Sequence, residues 1–225
     1  MTKEAIQDFS KIVPMLIEKG IENINLSMFD EETKTRLLNI IGDEYTKKGK
    51  LAEAVKAYVL AGNKDKLVET GKDYERVGLF GKAIDCYNLA GDTKEILRIG
   101  KKSLEEGKLG ETIKAYTILN DPELLTTAGN ECIRREKWDY AIEIFSAIND
   151  AEKLKEIGDK AIANRQIGYA AKAYELAKDP ERLSKLGDIC LNENLFATAL
   201  KAYELAGNKM MVEFVKENFK VERNG

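Results

Sequence analysis

The amino-acid sequence predicts an all-α solenoid, a superhelix of about six helix-turn-helix repeats closed by a C-terminal capping helix. Three observations predict it. A short segment recurs at a constant interval, the residues between recurrences align into columns of one type, and the residues that start and stop helices stand at fixed places in those columns. The recurring segment begins at Ala61 (AGNKDKL), Ala90 (AGDTKEI), Leu119 (LNDPELL), Ile148 (INDAEKL), Ala177 (AKDPERL) and Ala206 (AGNKMMV), each start 29 residues after the last. A period that never slips is not a coincidence of composition.

Residues 1–37 read as an N-terminal degenerate helical unit. Gly20 and Phe29 fall in register with the turn and aromatic columns described below, and the other columns are lost. Residues 38–211 hold the six tandem repeats. Each opens on an apolar residue (Leu38, Leu67, Ile96, Leu125, Leu154, Leu183), and four residues later comes a glycine (Gly42, Gly71, Gly100, Gly129, Gly158, Gly187). Positions four apart share a helical face, so these two columns mark a first helix. The second helix carries Ala54, Ala83, Thr112, Ala141, Ala170 and Ala199, then an aromatic column of Tyr58, Tyr87, Tyr116, Phe145, Tyr174 and Tyr203.

The turns are equally regular. Between the two helices of a repeat stand Gly49, Gly78 and Gly107, and then Glu136, Arg165 and Asn194, which specify that turn less well. Between repeats stand Asn63, Asp92, Asp121, Asp150, Asp179 and Asn208, each placed to accept a hydrogen bond from a free amide of the next helix. Pro122 and Pro180 follow at a first helical position, where a missing N–H costs nothing. The mid-helix glycines need a compensation, because each costs about 1 kcal/mol relative to alanine. The expectation is close approach, with the second helix pressing in its small residue, such as Ala54. In residues 212–225, Val212, Val215 and Phe219 take the apolar columns and Lys216 replaces the glycine, which predicts a capping helix over Val212 to Val221.

The spacing resembles the tetratricopeptide repeat, whose pattern runs W-x2-L-G-x2-Y, then A-x3-F, then P. The first repeat here reads Leu38-x2-Ile41-Gly42-x2-Tyr45, then Ala54-x3-Tyr58, and the second keeps Gly71, Tyr74, Ala83 and Tyr87. The resemblance covers about residues 38 to 211. It departs in its 29-residue period, in leucine or isoleucine replacing the tryptophan, and in lacking the closing proline. The phrase AIDCYNLAGD from Ala83 to Asp92 is also similar to the helical-hairpin solenoids of coatomer and intraflagellar-transport subunits. The first resemblance implies a protein-binding scaffold whose first helices line a concave face; the second implies a structural, assembly-forming role.

Composition narrows the chemistry. The chain carries 36 basic and 39 acidic residues and no histidine, for a net charge of -3. That balance argues against a nucleic-acid binder, which needs a basic stripe. The histidine-free chain lacks the usual acid–base residue and any triad, phosphate-loop and dinucleotide fingerprints are absent, and a catalytic role is not expected. Cys86, Cys132 and Cys190 lie 46 and 58 residues apart, occupy helical columns, and read as buried small thiols of a reducing, cytoplasmic setting. No cofactor or metal is expected. No apolar run approaches the ~20 residues of a membrane span.

What remains for function is the exposed face of the first helices. One column there carries Asp43, Lys72, Lys101, Asn130, Asp159 and Asp188; one turn on stand Lys47, Arg76, Glu105, Arg134, Ala163 and Asn192. The candidate partner-binding residues are therefore Lys72, Arg76, Lys101, Asn130 and Arg134. Their charge suits a protein or peptide with an acidic segment. Self-association is left open.

Overall fold

A computed structural model describes the backbone of residues 3–219 and the side chains of residue 9 and of 12–219. In chain order the helices are α1 (Lys3–Lys19), α2 (Glu31–Lys47), α3 (Leu51–Ala61), α4 (Lys64–Arg76), α5 (Phe80–Ala90), α6 (Thr93–Glu105), α7 (Leu109–Leu119), α8 (Pro122–Arg134), α9 (Trp138–Ala147), α10 (Ala151–Ala163), α11 (Ile167–Leu176), α12 (Pro180–Asn192), α13 (Phe196–Ala206) and α14 (Lys209–Phe219). A 3-10 turn, Ile21–Asn23, follows α1, and the described residues contain no strand. The fold is all-α, a solenoid of helical hairpins.

The described chain groups into two compact units that divide between Leu119 and Asn120. In the first, α1 packs on α2, and the hairpins α2/α3, α4/α5 and α6/α7 follow, each leaning on the next through α3–α4 and α5–α6. In the second, α8/α9, α10/α11 and α12/α13 pair in the same way and α14 closes onto α13. The capping helix thus begins at Lys209, and the last two residues expected in it lie outside the described ones. Near the N-terminus a 3-10 turn stands where a second helix would be, so Phe29 sits in a connection, with its ring edge-on to Phe9 at 6.3 Å.

Helix starts follow the sequence closely. All six capping side chains accept from a backbone amide two or three residues on, among them Asn63 from Lys66 N–H at 3.1 Å and Asp179 from Arg182 N–H at 2.9 Å. Asp30 caps α2 in the same manner at 2.8 Å. Each such cap is worth about 1 kcal/mol. The turns hold a surprise: Glu136, Arg165 and Asn194 adopt the left-handed φ of 56°, 57° and 62° that glycine supplies in the earlier hairpins. Packing on both sides imposes the geometry even where the residue resists it, at about 1–2 kcal/mol each.

The repeated glycine has a different partner from the one expected. A Cβ built at Gly71 would lie 2.5 Å from Cε1 of Tyr87, one at Gly100 2.7 Å from Tyr116, and one at Gly187 2.5 Å from Tyr203. The aromatic ring of the same hairpin, rather than the alanine column, occupies the missing side chain's space. Close approach therefore holds, but it serves to seat a ring. All six rings are 1% exposed or less, which makes them the pins of their hairpins.

Candidate functional site

Because the glycine seat fixes each ring, it also fixes where each tyrosine hydroxyl emerges on the first helix. Tyr58 donates to Asp43 Oδ1 at 2.9 Å and shares a 3.2 Å hydrogen bond with Thr46. Tyr174 donates to Asp159 and Tyr203 to Asp188, both at 2.7 Å. In the second hairpin Lys72 stands in that column, and Tyr87 donates instead to Glu75, one turn on, at 3.2 Å. Burial raises these phenol pKa values, that of Tyr58 to about 12, so the hydroxyls remain donors.

Three of the carboxylates also take a cation from the next hairpin, each 23 residues on. Lys66 reaches Asp43 at 3.4 Å, Arg182 reaches Asp159 at 3.2 Å, and Arg98 grips Glu75 with contacts of 2.5 and 3.1 Å. Lys102 adds a 2.9 Å bond to Glu75. Hydrogen bonds from Arg98 foremost, with Lys102 adding, hold the Glu75 carboxyl down at about 2 against the opposing effect of burial. A hydroxyl, a carboxylate and a cation thus form a rung that ties one hairpin to its successor. Asp159 and Asp188, which look from the sequence like free acidic groups of a binding face, are acceptors for tyrosines.

The candidate cations divide by unit. In the first, Lys72 and Arg76 line an open depression of about 320 Å³ together with Glu75, Glu95, Arg98 and Lys102. Arg76 is paired with Asp73, and Arg98 also binds Glu95 at 2.7 Å. Lys101 is exposed on α6 and does not line this depression. Neither Lys72 nor Lys101 has an ion-pair partner among the described residues. In the second unit Asn130 is exposed, and Arg134 binds Glu131 of its own helix at 2.5 and 2.7 Å.

Glu75, Arg98 and Lys102 form a dense charge cluster in the first unit, which column positions in the sequence do not bring together. The 23-residue offset was the available signal. A second depression, about 670 Å³, lies in the other unit against Trp138, Tyr140 and Tyr169, with Glu136 and Asp139 at its rim. Tyr169 donates to Asp139 there at 3.0 Å. The three thiols are buried, which pushes Cys86 and Cys132 up to about 11 and raises Cys190 as well. Among the described residues, no group of three or more acidic or thiol ligands is placed to hold a metal, and no helix is long and apolar enough to cross a membrane.

Comparison with known proteins agrees with this architecture. A family model for the TPR domain of the intraflagellar-transport proteins 140 and 172 matches residues 46–217, well over half of the chain. None of the curated proteins compared matches it. With hairpins of one period, one ring seat and one capping scheme running through the matched residues, the chain belongs to this intraflagellar-transport TPR domain family.

Proposed function

We propose that this chain is a non-catalytic scaffold that holds a protein or peptide partner on the exposed face of its first helices. Membership of a TPR family supports the scaffold role. One observation supports the face: Lys72 and Lys101, on successive first helices, are exposed cations without counter-ions among the described residues, in a chain whose neighbouring charges are mostly paired. Unpaired cations over low-dielectric helical walls hold carboxylates by charge-assisted hydrogen bonds, which suits a partner with an acidic segment. Asn130 and Arg134 occupy the same sequence columns in the second unit. The buried thiols fit a reducing, cytoplasmic setting.

The test is a screen of acidic peptides against the wild type and the Lys72→Glu/Lys101→Glu variant. Binding should weaken with added salt and fall at least tenfold in the variant, while the melting temperature barely moves. Equal affinity for both proteins would place the contact surface elsewhere.

A second reading, a structural subunit of a coat-like or transport-like assembly, rests on the second helices. Leu60, Leu89, Ile118, Ala147, Leu176 and Leu205 occupy one column of that helix, apolar in every repeat, yet Leu60 is 63% and Leu89 49% exposed. Leu205 packs onto the core and Ile118 is half-buried, but the exposed leucines of this column offer an apolar surface to a neighbouring subunit. Light scattering over a range of concentrations separates the readings: ordered oligomers that dissociate on Leu60→Glu/Leu89→Glu favour assembly, and a monomer throughout favours the partner-binding face.

A further inference from the structure

We propose that the third hairpin, α6–α7, is a carboxylate-binding site completed by the partner, in which the Tyr116 hydroxyl and the Lys101 ammonium together hold one carboxylate of an acidic segment. This rests on the first-helix reading above and names the chemistry of its contact.

In four hairpins the seated tyrosine donates to a carboxylate of its own first helix: Asp43, Glu75, Asp159 or Asp188. The fourth hairpin loses both ends together, with Phe145 in the ring seat and Asn130 in the acidic column. The second displaces the acid by one turn, so that Lys72 in the column is offset by Glu75. Only the third keeps its tyrosine and loses both acceptors. Lys101 stands in the acidic column and Leu104 one turn on.

Tyr116 is seated like the others, its Cε1 2.7 Å from the position a Cβ would take on Gly100, so its hydroxyl emerges at the same place on α6. It has no hydrogen-bond partner among the described residues. Tyr116 is 1% exposed, at the margin of burial, while the one fully buried side-chain polar atom without a partner among those residues is Ser103 Oγ. Glu105 acts on Tyr116 electrostatically without bonding it, and burial is the larger influence on that phenol. Tyr116 and Lys101 therefore occupy the register positions at which sister hairpins pair a tyrosine with a carboxylate, and replacing the acid by lysine turns a position that repels an incoming carboxylate into one that attracts it. An incoming carboxylate would accept from Tyr116 and Lys101 as Asp159 accepts from Tyr174 and Arg182.

The experiment uses the full chain with ¹³C-labelled tyrosine and two fluorescent probes, a hexaglutamate peptide and its hexaglutamine counterpart. Hexaglutamate should shift the Tyr116 ring resonance and leave those of Tyr58, Tyr87, Tyr174 and Tyr203 in place; hexaglutamine should shift none. Tyr116→Phe should weaken hexaglutamate binding about tenfold, as loss of a hydrogen bond to a charged group does. Phenylalanine already occupies this seat at Phe145, so the variant folds. Lys101→Asp should restore an internal rung, raise the melting temperature, move the free Tyr116 resonance toward those of its sisters, and abolish binding.

If Tyr116→Phe binds as well as wild type while Lys72→Glu/Lys101→Glu does not, the inference falls and the first-helix reading stands. Should both variants bind unchanged, both fall. A Tyr116 resonance that moves on Glu105→Gln without any peptide would show that Glu105 already fills the site, and would also overturn the proposal.

Discussion

Gly129→Ala tests the ring seat in the most economical way, because a single methyl group decides the sign. The new Cβ would lie 2.5 and 2.6 Å from Cζ and Cε2 of Phe145 and 3.2 Å from Cγ2 of Ile144. Carbon atoms pack best at about 3.5–4.0 Å, so the ring must retreat by roughly 1 Å. Phe145 is fully buried and Ile144 nearly so, which leaves the ring nowhere to go. Overpacking of this kind costs about 1–3 kcal/mol. Against it stands the gain of about 1 kcal/mol from removing a mid-helix glycine. The net is a loss of up to about 2 kcal/mol, and Gly129→Leu, with three further carbons, should lose several. Gly81→Ala is the control, since Gly81 also lies in a helix but a Cβ there meets nothing within 4 Å. That variant should be neutral or gain up to about 1 kcal/mol. Equilibrium urea unfolding followed by circular dichroism measures both. Relief of the Gly129→Ala loss by Phe145→Leu in the double variant would tie the cost to the ring. If both alanine variants gain stability equally, the glycine column is not a seat.

Three further outcomes follow from the same geometry. Arg165→Gly, at a left-handed φ of 57°, should raise stability by up to about 1 kcal/mol, and a lower denaturation midpoint would contradict the strain. Cys86, Cys132 and Cys190 should react slowly with a thiol reagent in the native state and fast in denaturant; rapid native labelling would mean that these helix faces are exposed. Glu75 links stability to acid. Its carboxyl falls from an ordinary 4.5 to about 2 in the folded chain, so its contribution is complete above pH 4.5 and drains away as the pH drops toward 2. The upper limit is on the order of 2–3 kcal/mol, and Glu75→Gln should flatten the acid limb of the stability curve in that window.

Much of the fold was legible because it is governed by local rules. A capping carboxylate and its amide lie within three residues, proline at a helix start obeys a single dihedral, and apolar columns at helical spacing define buried faces. The glycine's real partner was harder to find. Gly71 and Tyr87 are sixteen residues apart on different helices, and only the crossing of the hairpin decides whether the ring or the alanine fills the gap. The left-handed turns at Glu136 and Arg165 were hidden for a related reason: the residues dislike the conformation, and the helices they connect impose it. Column position alone told even less about the charges. Lys101 and Lys102 are adjacent, yet Lys102 is drawn into the Glu75 cluster while Lys101 has no ion-pair partner among the described residues.

That contrast suggests how departures from a repeat should be weighed. A residue that breaks its column is uninformative when a neighbour restores the lost interaction. Lys72 breaks the acidic column, but Glu75 takes over the Tyr87 hydroxyl and Arg98 moves one turn with it, so the rung survives. Asn130 breaks it too, but Phe145 has no hydroxyl to satisfy. Lys101 breaks it with nothing in compensation: the hydroxyl remains, the carboxylate is gone, and a second donor stands in its place. Folding alone gives no reason to set a donor in the register of a donor, since Lys101→Asp would supply the acceptor that Tyr116 lacks. The arrangement becomes favourable when something outside the hairpin brings an acceptor, and that is the physical ground for placing a partner's carboxylate there.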